Sequence, residues 1–311
     1  MTVSPRHQFL NLLQSILLFA GMAIIAWVIV SAIVGKSLAI AIVIGSMMGL
    51  LLSPGIPKRL LLNAYDARRL GRREFPEGVA ILAELTRRAG LARVPELYYI
   101  PSQIPNAFAL GSPDESAVCI SDGLLQLMNQ RELAGVLAHE ISHIANRDLW
   151  IMGLADAMAR AVSLASWIGQ IILILNLPLI LAGAAYVPWQ VPLVLIFSPT
   201  IMALFQRALS RTREYDADRG GADLTGDPDG LASALLKLER RVGRMWEEMF
   251  LPGRRIPEPS LLRTHPPTQE RVRRLRALSG PERPIKPSTP LTAPRPTRVS
   301  KPRFGPWGVY R

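Results

Sequence analysis

Apolar residues in this chain of 311 residues fall in long blocks rather than at the short periods of an ordinary soluble core. Residues 9–35 carry no charged side chain, nor do residues 37–57, and a third uncharged stretch runs from 161 to 206. A membrane-crossing helix needs about 20 apolar residues. The first two stretches therefore predict one span each and the third predicts two, giving four spans in two hairpins. A cleavable leader is a poor reading of the first stretch, which exceeds the usual apolar length of about 7–15 residues and is followed almost at once by a second block. Residues 176–190 predict the outer turn of the second hairpin. Pro178, Pro188, Pro192 and Pro199 lie in or near it, and proline inside a span is tolerated when neighbouring helices satisfy the carbonyls it frees.

The polar remainder divides as 58–150, 207–280 and 281–311, around hairpins at 1–57 and 151–206. Residues 77–89 place Val79, Leu82 and Leu85 at helical spacing, with Gly90 as a plausible cap. Segments 96–100, 106–110 and 117–120 read as short strands, rich in aromatic and β-branched residues. Ser121 and Asp122 offer an N-cap for a helix through Met128. Residues 130–148 predict one longer helix, with Leu133, Leu137, Ile141 and Ile144 along one side, running straight toward the third span. Residues 207–280 read as almost wholly helical. The tail 281–311 holds eight prolines and few large apolar groups; that composition cannot bury a core and predicts an extended, disordered segment.

Charge orients this layout. The net charge is +12, with 19% charged and 49% hydrophobic residues. Residues 58–73 hold Lys58, Arg59, Arg68, Arg69, Arg72 and Arg73 against Asp66, and the tail holds seven basic residues against Glu282. Basic runs beside a span point to the cytoplasmic side and to anionic lipid rather than nucleic acid. Both termini and the region between the hairpins are thus expected in the cytoplasm, and the uncharged loop outside. The single cysteine, Cys119, excludes an intramolecular disulfide and suits that reducing compartment.

The strongest chemical signal is His139-Glu140-Ile141-Ser142-His143. Positions i and i+4 share a helix face, so both imidazoles can hold one zinc ion. Zinc brings the pKa of a water it binds to near 7, and Glu140 stands where it can take that proton. Random order would produce this pattern roughly 0.002 times per chain of this composition, and the apolar neighbours Val136, Leu137, Ile141 and Ile144 argue against a solvated surface helix. A catalytic zinc needs a third protein ligand. The other histidines are His7 and His265; the best acidic candidate is Glu214, with Asp218 at i+4 able to accept a hydrogen bond from a ligating imidazole. Glu214 follows the uncharged block by eight residues, about 12 Å of helix.

Four spans, HExxH and a later ExxxD together resemble the HtpX-type integral-membrane zinc proteases, which are related to the prenyl-protein (CAAX) endoproteases. Asn106-Ala107-Phe108-Ala109-Leu110-Gly111 resembles that family's NAFA-type segment, and Thr264-His265-Pro266-Pro267 with Arg271 beyond resembles its THPP element. The similarity runs over about residues 10–280; the tail lies outside it. The resemblance implies an α-helical membrane protein with a cytoplasmic α+β zincin-like (gluzincin) protease domain and one zinc per chain. It implies a multi-pass protein of the cell (plasma or inner) membrane that cleaves misfolded or membrane-associated polypeptides in membrane quality control. It places Ala107, Phe108 and Ala109 on the substrate cleft. Asn106 would then hydrogen-bond substrate backbone or the developing oxyanion, and His265 would stabilise the tetrahedral intermediate. Two other classes compete. A transporter normally carries charges within its spans, and these have none. A purely structural zinc would be closed by a fourth protein ligand, for which His265 is the sole candidate.

Overall fold

The computed structural model describes residues 5–52, 58–112, 114–184, 187–249 and 267–278. The chain separates into two compact units, Ile56–Leu149 with Arg213–Arg311, and Thr2–Gly55 with Trp150–Thr212. Each is built from two segments distant in sequence.

In the apolar unit, α1 (Pro5–Val34) and α2 (Lys36–Leu52) are joined at Gly35, whose φ of 86° suits a residue without Cβ. Helix α7 (Asp148–Leu175), the short α8 (Leu177–Leu181) and the start of α9 (Gln190–Thr225) complete it. Among the described residues, α7 and α9 are long and apolar enough to cross a membrane, and shorter apolar helices cover Ser15–Ser31 and Lys36–Ser46. Only 22% and 28% of the apolar windows of α7 and α9 are buried within the protein. Trp167, Ile174, Leu175 and Leu181 face outward, the reverse of a soluble core helix. Pro199 interrupts α9 and frees the carbonyl of Leu195 four residues earlier. That carbonyl accepts hydrogen bonds from Ser166 Oγ and, at 3.1 Å, from Gln170 Nε2 of α7. The neighbouring helix thus satisfies the carbonyl that the proline frees.

The second unit contains α3 (Lys58–Ala64), β1 (Arg68–Arg69), α4 (Pro76–Ala89), β2 (Glu96–Ile100), β3 (Ala107–Ser112), β4 (Glu115–Ser121), α5 (Asp122–Leu127) and α6 (Gln130–Ala145). Later come the end of α9, α10 (Pro228–Met249) and α11 (Thr268–Leu278). The sheet order is β1-β2-β4-β3, with β2 and β4 parallel and the outer pairs antiparallel. The two-residue edge strand β1 has no sequence signal of its own and exists through pairing with Tyr98 and Tyr99. Alternation along the strands sends Leu97, Tyr99, Ala107, Ala109, Val118 and Ile120 into the main core. There they meet Leu133, Val136, Leu137, Ile141 and Ile144 of α6 and Leu82 and Leu85 of α4. The opposite face packs Ile100, Phe108, Leu110 and Cys119 against Leu62 and Tyr65.

One expectation is corrected. Residues 130–148 do not form a straight helix into the next span: α6 ends at Ala145, and Arg147 takes a left-handed φ of 56° before α7 starts at Asp148. Asn146 still closes α6 through its N–H to Ser142 O at 3.0 Å. The break turns Asp148 back toward α6, which repays a costly backbone conformation for a non-glycine residue.

Candidate metal centre and active site

Helix α6 is fixed at its start by a capping box between Asn129 and Glu132. The buried Glu132 carboxylate also accepts from Ser233 Oγ and Lys237 Nζ of α10, each at 2.6 Å. Three turns along, His139, Glu140 and His143 are all buried. Helix α9 reaches them because Gly220 and Gly221 present no side chain. A Cβ at Gly220 would meet Ser142 Oγ at 2.1 Å, and one at Gly221 would meet the His139 backbone N at 3.1 Å. The close crossing brings Glu214 and Asp218 to the histidines.

His139, His143 and Glu214 each offer a ligand atom, all within 4.8 Å of one another. The two Nε2 atoms are 3.2 Å apart. Glu214 divides its carboxylate between them, Oε2 at 3.5 Å from His139 and Oε1 at 3.6 Å from His143. Each ring turns its other nitrogen to an aspartate: His143 Nδ1 is 2.9 Å from Asp148 Oδ2, and His139 Nδ1 is 3.2 Å from Asp218 Oδ1. Each aspartate in turn meets an arginine. Arg213 Nη1 is 3.3 Å from Asp148 Oδ1, and Arg271 grips Asp218 with Nε and Nη2 at 2.7 and 2.6 Å.

This donor set fits a divalent cation on two counts. His143 Nδ1 is within hydrogen-bond distance of Asp148 and His139 Nδ1 lies close to Asp218; in the tautomer that puts the proton on each Nδ1, both Nε2 lone pairs share one space with the Glu214 oxygens, an arrangement that a cation between them would satisfy. The buried charges point the same way: among the described residues, the buried carboxylates at this point are Glu140, Asp148, Glu214 and Asp218 and the buried arginines are Arg213 and Arg271, four acids to two bases. Burial opposes charging either ring. Even so, Asp218 and Glu214 hold His139 above the ordinary histidine range, and Asp148 and Glu214 hold His143 well above it. The field at this point favours positive charge.

A thiol mechanism has no support: burial, with the Glu140 charge adding to it, pushes Cys119 up to about 12, so the thiol is inert at neutral pH. Strand β3 is the sheet edge opposite β1. Ala107 and Ala109 point into the core, and Phe108 packs on Tyr65 with ring centroids 5.1 Å apart. What the strand can offer a peptide is its outer backbone edge. Asn106 is pinned by its main chain to Ser121 at 2.8 and 2.9 Å, while its buried Oδ1 has no hydrogen-bond partner among the described residues. His265 lies outside the described residues.

Sequence reasoning missed Asp148 and Arg213 and gave Arg271 no task. Asp148 is five residues after His143, off the i+4 register, and only the break at Arg147 brings it back. Arg213 stands among Arg211, Glu214, Asp216 and Arg219, and nothing in that run of charges marks it as buried.

Residues 73–279 match peptidase family M48. The chain belongs to that family. It is a metalloendopeptidase, and a membrane-associated one. The Protease HtpX homolog of Thermococcus kodakarensis is 40% identical over 233 residues, covering 71% of this chain and 80% of that protein. The homolog of Desulfatibacillum aliphaticivorans is 37% identical over 309 residues, 88% of this chain and 94% of that one. That of Pelotomaculum thermopropionicum is 38% identical over 283 residues, covering 87% and 100%. The crystal structure of S. mikatae Ste24p is similar at a TM-score of 0.42 and 16% identity, over 88% of this chain and 66% of that one.

Proposed function

We propose that this M48 peptidase is a zinc-dependent endopeptidase of the cell membrane that hydrolyses misfolded or membrane-associated polypeptides on the cytoplasmic side. The observation that carries this reading is the convergence of His139, His143 and Glu214 around one space, with Glu140 on the same helix turn. Zinc, when bound, would supply Lewis acidity and acidify a water. His139, His143 and Glu214 would hold the ion, and Asp148 and Asp218 would favour the tautomer of the two rings that leaves Nε2 free to ligate. Glu140 takes the proton from the attacking water and delivers it to the leaving amine. A peptide extended along the outer edge of β3 would gain main-chain hydrogen bonds there, and Asn106 and His265 would donate to the carbonyl oxygen as charge develops.

The test is metal analysis joined to a casein-digestion assay on the purified full chain. One zinc per chain is expected, with cleavage lost on chelation and restored by zinc. A protein that digests casein without bound metal would sink the reading, as would a metal-loaded protein with no hydrolytic activity on any polypeptide.

Four spans, with the catalytic segments and tail on the cytoplasmic side, are the topology that the basic run after Pro57 supports. The same run suits contact with anionic lipid of the bilayer. Cys119 is buried, so background labelling should be low. An Ala184→Cys variant should react with an impermeant thiol reagent in intact cells, whereas Ser288→Cys should not. The reverse pattern would invert the topology.

A further inference from the structure

We propose that Arg271 is a positioning residue for the metal-binding group, and that it acts through shape rather than charge. The inference rests on the reading that His139, His143 and Glu214 bind a divalent cation.

Arg271 is buried on α11, an element far in sequence from the HExxH helix. Val272 and Leu275 seat α11 against Ala222, Leu231 and Ala232, and the Arg274 guanidinium lies 3.8 Å from the centre of the Tyr215 ring. From this platform Arg271 takes both oxygens of Asp218, Nε to Oδ2 at 2.7 Å and Nη2 to Oδ1 at 2.6 Å. The same Nη2 lies 3.4 Å from Glu214 Oε2. One guanidinium therefore spans both carboxylates that stand at i and i+4 on α9.

Those carboxylates also meet His139, Asp218 at Nδ1 and Glu214 at Nε2. His139, Asp218, Arg271 and Glu214 thus form a ring of close contacts, with Arg271 hydrogen-bonded to Asp218 and the two carboxylates 3.2 and 3.5 Å from His139. A planar, two-pronged donor sets the plane of the Asp218 carboxylate, which a point charge on a flexible stem does not. The Asp218 plane orients the imidazole, and the imidazole aims Nε2.

Shape and charge predict opposite signs. Removing a cation beside a cluster with excess negative charge should, by Coulomb attraction alone, tighten the binding of a divalent ion. If Arg271 positions these side chains, its removal should weaken binding instead. Lysine keeps the charge and loses the fork, so Arg271→Lys separates the two roles.

The experiment uses the full chain in detergent, wild type beside Arg271→Lys and Arg271→Gln, with Arg273→Gln as an exposed control on the same helix. Zinc affinity is measured by chelator competition, and the visible absorption of the cobalt-loaded protein reports ligand geometry. Both Arg271 variants are expected to lose zinc affinity by roughly 10–100-fold and to show an altered cobalt spectrum, with Arg273→Gln unchanged. Wild-type affinity and an unaltered spectrum in Arg271→Lys would overturn the proposal, as would tighter zinc binding in Arg271→Gln. Should Arg271→Gln fail to fold, Arg271→Lys decides the matter alone. A wild-type protein that binds neither metal would remove the metal reading itself, an outcome distinct from a wild type that binds and variants that match it.

Discussion

Glu140→Gln should leave the metal bound and lower peptide-bond cleavage by roughly a hundred- to ten-thousand-fold, the usual contribution of a positioned general base. That loss corresponds to about 3–5 kcal/mol of transition-state stabilisation. Glutamine keeps the shape of the side chain, so the packing of α6 around His139 and His143 should survive. The candidate ligands, their aspartates and both arginines are untouched. One negative charge leaves the buried cluster, which should weaken cation binding modestly without emptying the site. The measurements are metal content and casein digestion on the same preparation. Near wild-type turnover in metal-loaded Glu140→Gln would remove Glu140 from the proposed role, and a metal-free variant would make it a ligand instead.

Glu214→Ala should empty the site. It removes the one carboxylate that touches both Nε2 atoms and leaves two imidazoles, too few for a catalytic zinc. Arg271 still has both oxygens of Asp218, so the helix packing should hold and the loss should be specific to metal. Asp218→Asn should weaken metal affinity by roughly 10–100-fold, since an amide can still meet His139 but no longer carries the charge that favours Nδ1–H. His265→Ala should retain the metal and lose mainly turnover, if its role is the proposed one of stabilising the oxyanion. Metal content of the three variants at one chelator concentration orders them. A full site in Glu214→Ala beside an empty one in His265→Ala would exchange their assignments.

Much of the candidate site was legible because its parts are local. His139 and His143 share a face by helical geometry, and the same rule puts Glu214 and Asp218 on one side of α9. Gly90, with φ of 69°, ends α4 where the periodicity stops, and Ser121 caps α5 by accepting from Leu124 N at 3.2 Å. Each of these follows from interactions within about four residues. Asp148 was illegible for the opposite reason. Its place depends on the left-handed turn at Arg147, a conformation that arginine does not favour and that the contacts of Asp148 with His143 and Arg213 offset. Arg213 stands in a run of charged residues that reads equally well as a solvated face, and Arg271 carried only a resemblance and no partner; burial against aspartates from other elements decides both.

The chain's own order of residues determined the apolar blocks, the strands and helices around them, and the paired residues able to ligate a metal. Periodicity and spacing act along the backbone and need no partner. The tertiary structure alone decided which carboxylate meets which imidazole, that Gly220 lets α9 close on Ser142, that β3 turns its alanines inward and leaves an edge, and that two arginines are buried to hold two aspartates. Most of these depend on distances between segments far apart in sequence, such as Asp148 and Arg213, 65 residues apart, and Asp218 and Arg271, 53 apart. Such distances are set by packing of whole elements against one another, and no local pattern encodes them.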